Sequence, residues 1–140
     1  MTYTYWIQNS DLSIAEEGEV SSPEHARSLY DNHDWPTQLK ILADLLLQAD
    51  KDDCPPGIGF VREMNVFLHL CPNGDGTVLS SCCLWGNVKI LGLFKSKRIV
   101  LHEASAMPDV VAHTAIRKFF AGEDDWLVNC FKEVNGDQNE

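Results

Sequence analysis

The spacing of apolar residues changes from a helical to a strand period at one place in the chain, the segment Cys-Pro-Pro-Gly at 54–57. Before this segment, Leu39, Leu42 and Leu46 recur at the spacing of one helical face. After it, short runs of alternating apolar and polar residues are separated by turn residues. Because proline removes a helix donor and glycine permits a chain reversal, the segment ends the helical part. We therefore expect most of the sheet to be built from residues after 57.

The residues before this break predict one strand and two helices. Residues 2–7 are aromatic and β-branched and predict a strand, whereas 8–20 predict a loop with at most a short strand ending at Val20. A helix is expected over 23–31, because Ser22 can cap it and Pro23 fits its first position. A second helix is expected to begin at Asp34 or Trp35 and to end before Asp50.

The residues after the break predict a series of hairpins, a helix and a last strand. The expected elements are one long or two short strands over 58–70, strands over 77–85, 88–94 and 97–103, a helix to Ala121, and a final strand over 126–134. Gly86-Asn87 is predicted as a hairpin turn, Lys95-Ser96 as another turn, and Gly122 as the residue that ends the helix. The order βααββββαβ predicts an α+β fold, an antiparallel meander with helices on one face. We expect a single domain over 1–140, with 135–140 as a frayed tail.

The charge and the cysteines restrict the class of protein. The chain carries 21 acidic and 11 basic residues, a net charge of −10, which disfavours nucleic acid as a partner. No apolar run is long enough for a membrane span, and residues 1–6 lack the pattern of a signal peptide. Five cysteines, two of them adjacent, are a poor disulfide framework and favour a reducing compartment. We therefore expect a cytoplasmic protein with no membrane association.

The charge is unevenly distributed along the chain. Residues 1–53 contain eleven acidic and three basic residues, a net charge of −8. Residues 77–101 contain no acid and four bases, which are Lys89, Lys95, Lys97 and Arg98. An asymmetry of this kind favours electrostatic steering of a partner.

Two acidic clusters and one tryptophan are the candidate interface residues. The clusters are Asp50, Asp52 and Asp53, and Glu123, Asp124 and Asp125. Each follows a predicted helix end, where negative charge opposes the helix dipole, so local stability does not explain the placement. Solvation of the surface is the alternative explanation. Trp85, beside the predicted Gly86-Asn87 turn, is a candidate interface anchor, and core packing is its alternative.

The residues give no enzyme signature. His69 and Cys71 are expected on one face of a strand, and Cys54, Cys82 and Cys83 could add ligands, but the chain has no CxxC or HxxxH spacing. No cysteine, histidine and carboxylate or amide follow a known catalytic pattern. We therefore expect no metal, no cofactor and no catalytic activity.

Residues 60–130 resemble bacterial immunity proteins, in particular the α+β family paired with deaminase toxins of polymorphic toxin systems. The resemblance is carried by a helix begun by Pro108, the aromatic pair Phe119-Phe120 before Gly122, and the late Trp126. It implies a cytosolic protein that binds one secreted toxin domain tightly, blocks the toxin's active site and needs no cofactor.

The sequence thus predicts an immunity protein that neutralises a cognate cationic toxin domain, of nuclease or deaminase type, by one-to-one binding. Two alternatives stay open. One is a small metal- or thiol-dependent enzyme or sensor that uses His69 and Cys71. The other is a homo-oligomeric interaction domain. For the isolated chain we expect a monomer or a weak homodimer.

Overall fold

The structure, a computed structural model, describes residues 3–48, 50–92 and 94–136. The helices and strands, in chain order, are β1 (Tyr3–Gln8), β2 (Ile14–Val20), α1 (Pro23–Asn32), α2 (Trp35–Leu46), β3 (Gly57–Glu63), β4 (Val66–Pro72), β5 (Thr77–Ile90), β6 (Phe94–Pro108), α3 (Asp109–Ala121) and α4 (Asp124–Val134).

The six strands form one antiparallel sheet in the order β2-β1-β3-β4-β5-β6. The first strand therefore lies inside the sheet, between β2 and β3, and the two free edges are β2 and β6. Helices α1, α3 and α4 pack with one face of this sheet. The predicted class, an α+β fold with an antiparallel meander and helices on one face, is confirmed.

The core lies between the helices and this face of the sheet. Strand residues such as Ile58, Phe60 and Leu70 are fully buried, as are Phe119 of α3 and Phe131 of α4. Alternate residues of a strand point to opposite faces, so every second residue of the central strands β1, β3 and β4 enters this core. Helix α2 is attached differently, at the end of the sheet, where the Ser10 hydroxyl donates to the Gln38 carbonyl at 2.8 Å.

The predicted helix boundaries agree with the observed caps. The Ser22 hydroxyl accepts the His25 N–H at 3.0 Å at the start of α1, and the Asp34 carboxylate accepts the Thr37 N–H at 3.2 Å at the start of α2. Gly122 ends α3 with a φ of 72°, a conformation that favours glycine.

The predicted final strand over 126–134 is wrong, because these residues form α4. Leu127, Cys130 and Phe131 are buried at helical spacing, which places them on one side of the helix. The acidic residues before them lie at the beginning of α4 and not in a loop after a helix.

The predicted turn at Gly86-Asn87 is also wrong, because β5 continues through it to Ile90. The reversal follows Ile90, where Leu91 and Gly92 have positive φ values of 55° and 73°. The predicted turn at 95–96 likewise lies inside β6. Trp85 is therefore an interior residue of β5 and not a residue of the hairpin tip.

In two ranges the structure contains more strand, or better defined strands, than the sequence predicted. The predicted loop over 8–20 contains β2, a full edge strand of seven residues. The range 58–70 resolves into two strands joined at Asn65, whose φ is 68°. In the predicted tail, the Asn135 amide donates to the Glu103 carbonyl at 2.7 Å, and 137–140 lie outside the described residues.

No helix among the described residues has the length and apolar character needed to cross a membrane.

Candidate interaction surfaces

The first acidic cluster lies in the segment between α2 and β3. Asp50, Asp52 and Asp53 are all exposed. Within the described ranges none of the three forms an ion pair or accepts a side-chain hydrogen bond. Their role as interface residues therefore stays a prediction.

The second acidic cluster has a structural role that the sequence analysis missed. Asp124 and Asp125 lie in the first turn of α4, where negative charge favours the helix dipole. Glu123, at the cap position, forms an ion pair with Lys118, whose Nζ lies 2.8 Å from the Glu123 Oε2. The interpretation that local stability does not explain this cluster is wrong, because it considered only the end of α3 and not the start of a further helix.

Asp124 also neutralises a nearly buried arginine of the sheet. Arg62 Nη1 lies 3.1 Å and 3.2 Å from the two Asp124 carboxylate oxygens, and Nη2 donates to the Phe119 carbonyl at 2.5 Å. The guanidinium also lies 4.5 Å from the centre of the Phe119 ring. Asp124 therefore connects α4 to β3 and to the end of α3.

A groove runs between α4 and the outer part of the β5–β6 hairpin. Its volume is about 600 Å³, and it is lined by Trp85, Val88, Val100, His102, Asp124, Asp125 and Lys132, among others. Three of the seven predicted interface residues, Trp85, Asp124 and Asp125, thus line one groove. The Glu123 cap stands beside Asp124 at the start of α4, and the Asp50–Asp53 segment does not line the groove.

The side chains of His69 and Cys71 lie close together on β4, but burial favours the neutral imidazole and the neutral thiol. The Cys71 Sγ lies 3.4 Å from His69 Nε2, in a cavity of about 170 Å³ that Cys54 and Glu103 also line. Burial raises the pKa of Cys71 to about 12 and lowers the pKa of His69. A nucleophilic cysteine needs the opposite, a thiolate beside a charged imidazole. No group of three metal-ligating side chains occurs within the described residues.

The face of the sheet opposite the helices, called the open face below, carries a row of apolar and aromatic side chains. Trp6 lies against Gly59, where an added Cβ would come within 2.3 Å of the indole, and the Trp6 ring centre is 4.8 Å from that of His69. Strand pairing and alternation place further residues on this face. They are Val61, Phe67, Leu79, Cys83, Trp85, Ile99 and Leu101.

The hairpin extends beyond the rest of the sheet as a two-stranded arm, residues 84–90 and 94–100. Strand β4 pairs with β5 only as far as Phe67 and Cys83, so the arm has no third strand beside it. On the side of the arm that continues the open face, Lys89 is directly opposite Lys95, and Lys97 is opposite Asn87. Like charges directly opposite each other destabilise a strand pair. The sequence showed these lysines but not that they share one face.

The arm and the body of the molecule have opposite charges. The arm contains four bases and no acid, so the other residues, with seven bases and 21 acids, have a net charge of −14.

Comparisons of this chain with protein-family models, with curated proteins and with solved structures find no match in any of the three.

Proposed function

We propose that this chain is an immunity protein, which binds and neutralises a cognate secreted bacterial toxin domain of nuclease or deaminase type by covering its active site. The observation that carries the proposal is the acidic segment with Asp50, Asp52 and Asp53, exposed and without a described partner. An acidic surface of this kind fits the cationic cleft of a protein that acts on nucleic acid.

The groove beside α4 is the second part of the proposed interface. It combines a half-exposed tryptophan, Trp85 at 49%, with the carboxylates of Asp124 and Asp125. Aromatic anchors surrounded by polar groups are typical of protein interfaces. We propose that Trp85 supplies contact area and that Asp125, which has no described ion pair, contributes charge. Asp124 is already neutralised by Arg62 and contributes mainly by fixing α4.

The enzyme or sensor alternative is less well supported by the same structure. His69 and Cys71 lie close together, but burial favours the uncharged thiol and the uncharged imidazole. The proposed protein acts by binding, needs no cofactor, and works in the cytoplasm, where it would meet the toxin before the toxin reaches its substrate.

The direct test is capture of the toxin encoded beside this chain. The gene immediately upstream should encode a toxin domain, and the two proteins, produced together, should co-purify at a ratio of one to one. Cells that produce the toxin should survive only when this chain is also produced. A neighbouring toxin that forms no complex with the chain and is not neutralised by it would refute the proposal.

Charge reversal tests the acidic segment itself. The variant Asp52→Lys/Asp53→Lys should slow association with the toxin at low salt by about tenfold or more, because steering depends on local charge. The variant Glu24→Lys/Glu133→Lys makes the same change in net charge at exposed sites of α1 and α4 and is the matched control. Equal on-rates for the two variants would remove the segment from the interface.

A further inference from the structure

We propose that two copies of this chain associate through the free edge of β6, which pairs antiparallel with the β6 of the second copy about a twofold axis at Val100. The two six-stranded sheets would then form one continuous sheet. The proposal does not rest on toxin binding, and it is tested with the chain alone.

The free edge of β6 is long and regular. The strand has 15 residues and pairs with β5 on one side, and it is the last strand of the described sheet. Its pairing with β5 runs without a register shift from Phe94 to Ala104. An edge strand presents a row of N–H and C=O groups that can pair with another chain, and natural edges are often kept short, bulged or interrupted by proline. This stretch of β6 is therefore well suited to accept a further strand.

The odd-numbered residues of this stretch direct their backbone groups to the free edge. The Asn73 N–H donates to the Thr77 carbonyl at 3.0 Å, so Thr77 faces β4. Because the backbone direction alternates along a strand, the even-numbered residues of β5 face β6 and bond to even-numbered residues there. The odd-numbered residues over 95–103 then point their N–H and C=O groups away from β5. The Asn135 amide, which donates to the Glu103 carbonyl at 2.7 Å, agrees with this direction.

An antiparallel pairing centred on Val100 makes β6 complementary to itself. Residues at equal distances from Val100 then lie opposite each other, so Lys97 faces Glu103 of the second copy and Ile99 faces Leu101 of the second copy. All four side chains lie on the open face. Because a twofold contact is reciprocal, each pair forms twice and the assembly closes as a dimer.

The charges favour this register over its neighbours. Within one copy, neither Lys97 nor Glu103 forms an ion pair with a described residue. A centre at Leu101 would place Glu103 opposite Ile99, and a centre at Ile99 would place Lys97 opposite Leu101. Either shift sets a charge against an apolar side chain. Lysine on an edge strand discourages chance pairing, and the register centred on Val100 gives Lys97 a carboxylate instead.

The apolar pair would cover a side chain that the single copy leaves open. Leu101 is 53% exposed, although it lies in the regular part of the sheet beside Cys83. Ile99 of the second copy would pack on its free side, at the separation of about 5 Å between Cβ atoms that opposed residues have. Trp85, 49% exposed, is the β5 neighbour of Ile99 and would extend this contact across the boundary.

The pairing also supplies the third strand that the arm lacks. The arm residues 94–100 would lie beside the part of β6 that crosses the body of the second copy, and a two-stranded ribbon without further packing is only marginally stable. Four hydrogen-bonded residue pairs over 97–103 give about eight backbone hydrogen bonds, within the range of about 5–15 of a typical interface. At the Glu103 carbonyl, the Lys97 N–H of the second copy would replace the Asn135 amide.

Sedimentation equilibrium with exchanged charges tests the register. The parent chain, of 15.7 kDa, should sediment as a dimer at about 100 µM and low salt. Lys97→Glu and Glu103→Lys should each weaken association by about tenfold or more, because each sets like charges opposite each other twice. The variant with both substitutions should restore the dimer. Lys89→Glu makes the same change in charge on the β5 side of the arm and is the matched control, with a dissociation constant within about twofold of the parent chain.

A single cysteine at the proposed axis tests the position of the axis. Val100 would lie opposite itself in a pair without backbone hydrogen bonds, where the Cα atoms are about 4.5 Å apart, a distance that a disulfide spans. With oxidised glutathione, Val100→Cys should form a disulfide-linked dimer on a non-reducing gel. Arg98→Cys is the matched control, because the two copies of this residue would be about 13 Å apart along the strands. It should stay unlinked, as should the parent chain with its five native cysteines.

Circular dichroism establishes that each variant is folded, and the cysteine variants keep the proposal testable if a charge variant is not. A monomeric parent chain at 100 µM would overturn it, as would a double charge variant that stays monomeric or a cross-link at Arg98→Cys in place of Val100→Cys. Assemblies larger than a dimer would indicate pairing of β6 with β2 instead. If the chain alone is monomeric and Lys97→Glu abolishes capture of the toxin, a strand of the toxin and not a second copy pairs with β6. A dimer that fails to neutralise the toxin would refute the proposed function alone.

Discussion

Replacing Asp124 by Asn should destabilise this fold more than replacing Arg62 by Met, although the two side chains belong to one ion pair. The Arg62 side chain is 11% exposed and that of Asp124 33%. Asp124→Asn leaves a nearly buried cation, whose Nε already lacks a hydrogen-bond partner, with the Phe119 carbonyl and ring as its remaining support. Arg62→Met leaves a carboxylate that water can reach.

The expected magnitudes follow from this difference in exposure. Breaking a fully buried ion pair from one side costs about 3–5 kcal/mol. Because Asp124 is one-third exposed, we expect a loss of about 2 kcal/mol for Asp124→Asn and about 1 kcal/mol for Arg62→Met. The double variant should lose little more than Arg62→Met alone, since neither charge then remains.

Urea unfolding, followed by tryptophan fluorescence, measures these free energies. With a slope of about 2 kcal/mol per molar urea, Asp124→Asn should lower the midpoint by about 1 M. The neighbouring Asp125→Asn, exposed and without a described ion pair, is the matched control and should stay within about 0.5 kcal/mol of the parent chain. Additive losses in the double variant, or a larger loss for Arg62→Met than for Asp124→Asn, would refute the reasoning.

Three further predictions concern the sheet, the buried thiol and a helix cap. Gly59→Ala should displace the Trp6 ring, because the added Cβ would lie 2.3 Å from it, and an unchanged near-ultraviolet circular dichroism spectrum would count against this packing. Cys71 should resist alkylation in the folded protein at pH 8, where a pKa of about 12 leaves about one thiol in ten thousand ionised. Since this folded-state pKa is raised from 9.0, its contribution to stability is present below pH 9 and is lost as the pH rises towards 12, so a free energy of unfolding that does not fall over this range contradicts the raised pKa. Ser22→Ala should cost about 1 kcal/mol in urea unfolding, because the His25 N–H loses its acceptor, and Ser21→Ala is the control.

Three helix boundaries could be predicted from the sequence because the responsible groups are local. Ser22, Asp34 and Gly122 each act on backbone within a few residues, and all three have the expected roles. The hairpin turn could not be placed, because it depends on Leu91 in a left-handed conformation that leucine rarely adopts. Gly86 indicated a turn, but its lack of a side chain instead accommodates Val100, 3.0 Å from where a Cβ would lie.

The last element, α4, was predicted as a strand because a strand pattern and a helical pattern overlap in its sequence. Trp126, Val128 and Cys130 alternate as in a strand, while Leu127, Cys130 and Phe131 follow a helical period. The acidic residues at 123–125 favoured a helix start, and they were the available signal for the correct interpretation. For the candidate sites, the sequence singled out Trp85, Asp124 and Asp125 as candidates. Their common groove and the shared face of the arm lysines could not be predicted, because both depend on long-range strand pairing.

The strand order has a consequence for how this chain folds. The pair β1–β2 and the run β3–β6 are both made of neighbours in sequence, and within the sheet the two parts are joined where β1 pairs with β3, from Thr4–Val61 to Gln8–Gly57. This junction closes a loop that contains α1 and α2, and long loop closures slow folding. We therefore expect each part to form early and the junction to form late. Trp6, which lies across the junction on Gly59, would report this last step of sheet assembly.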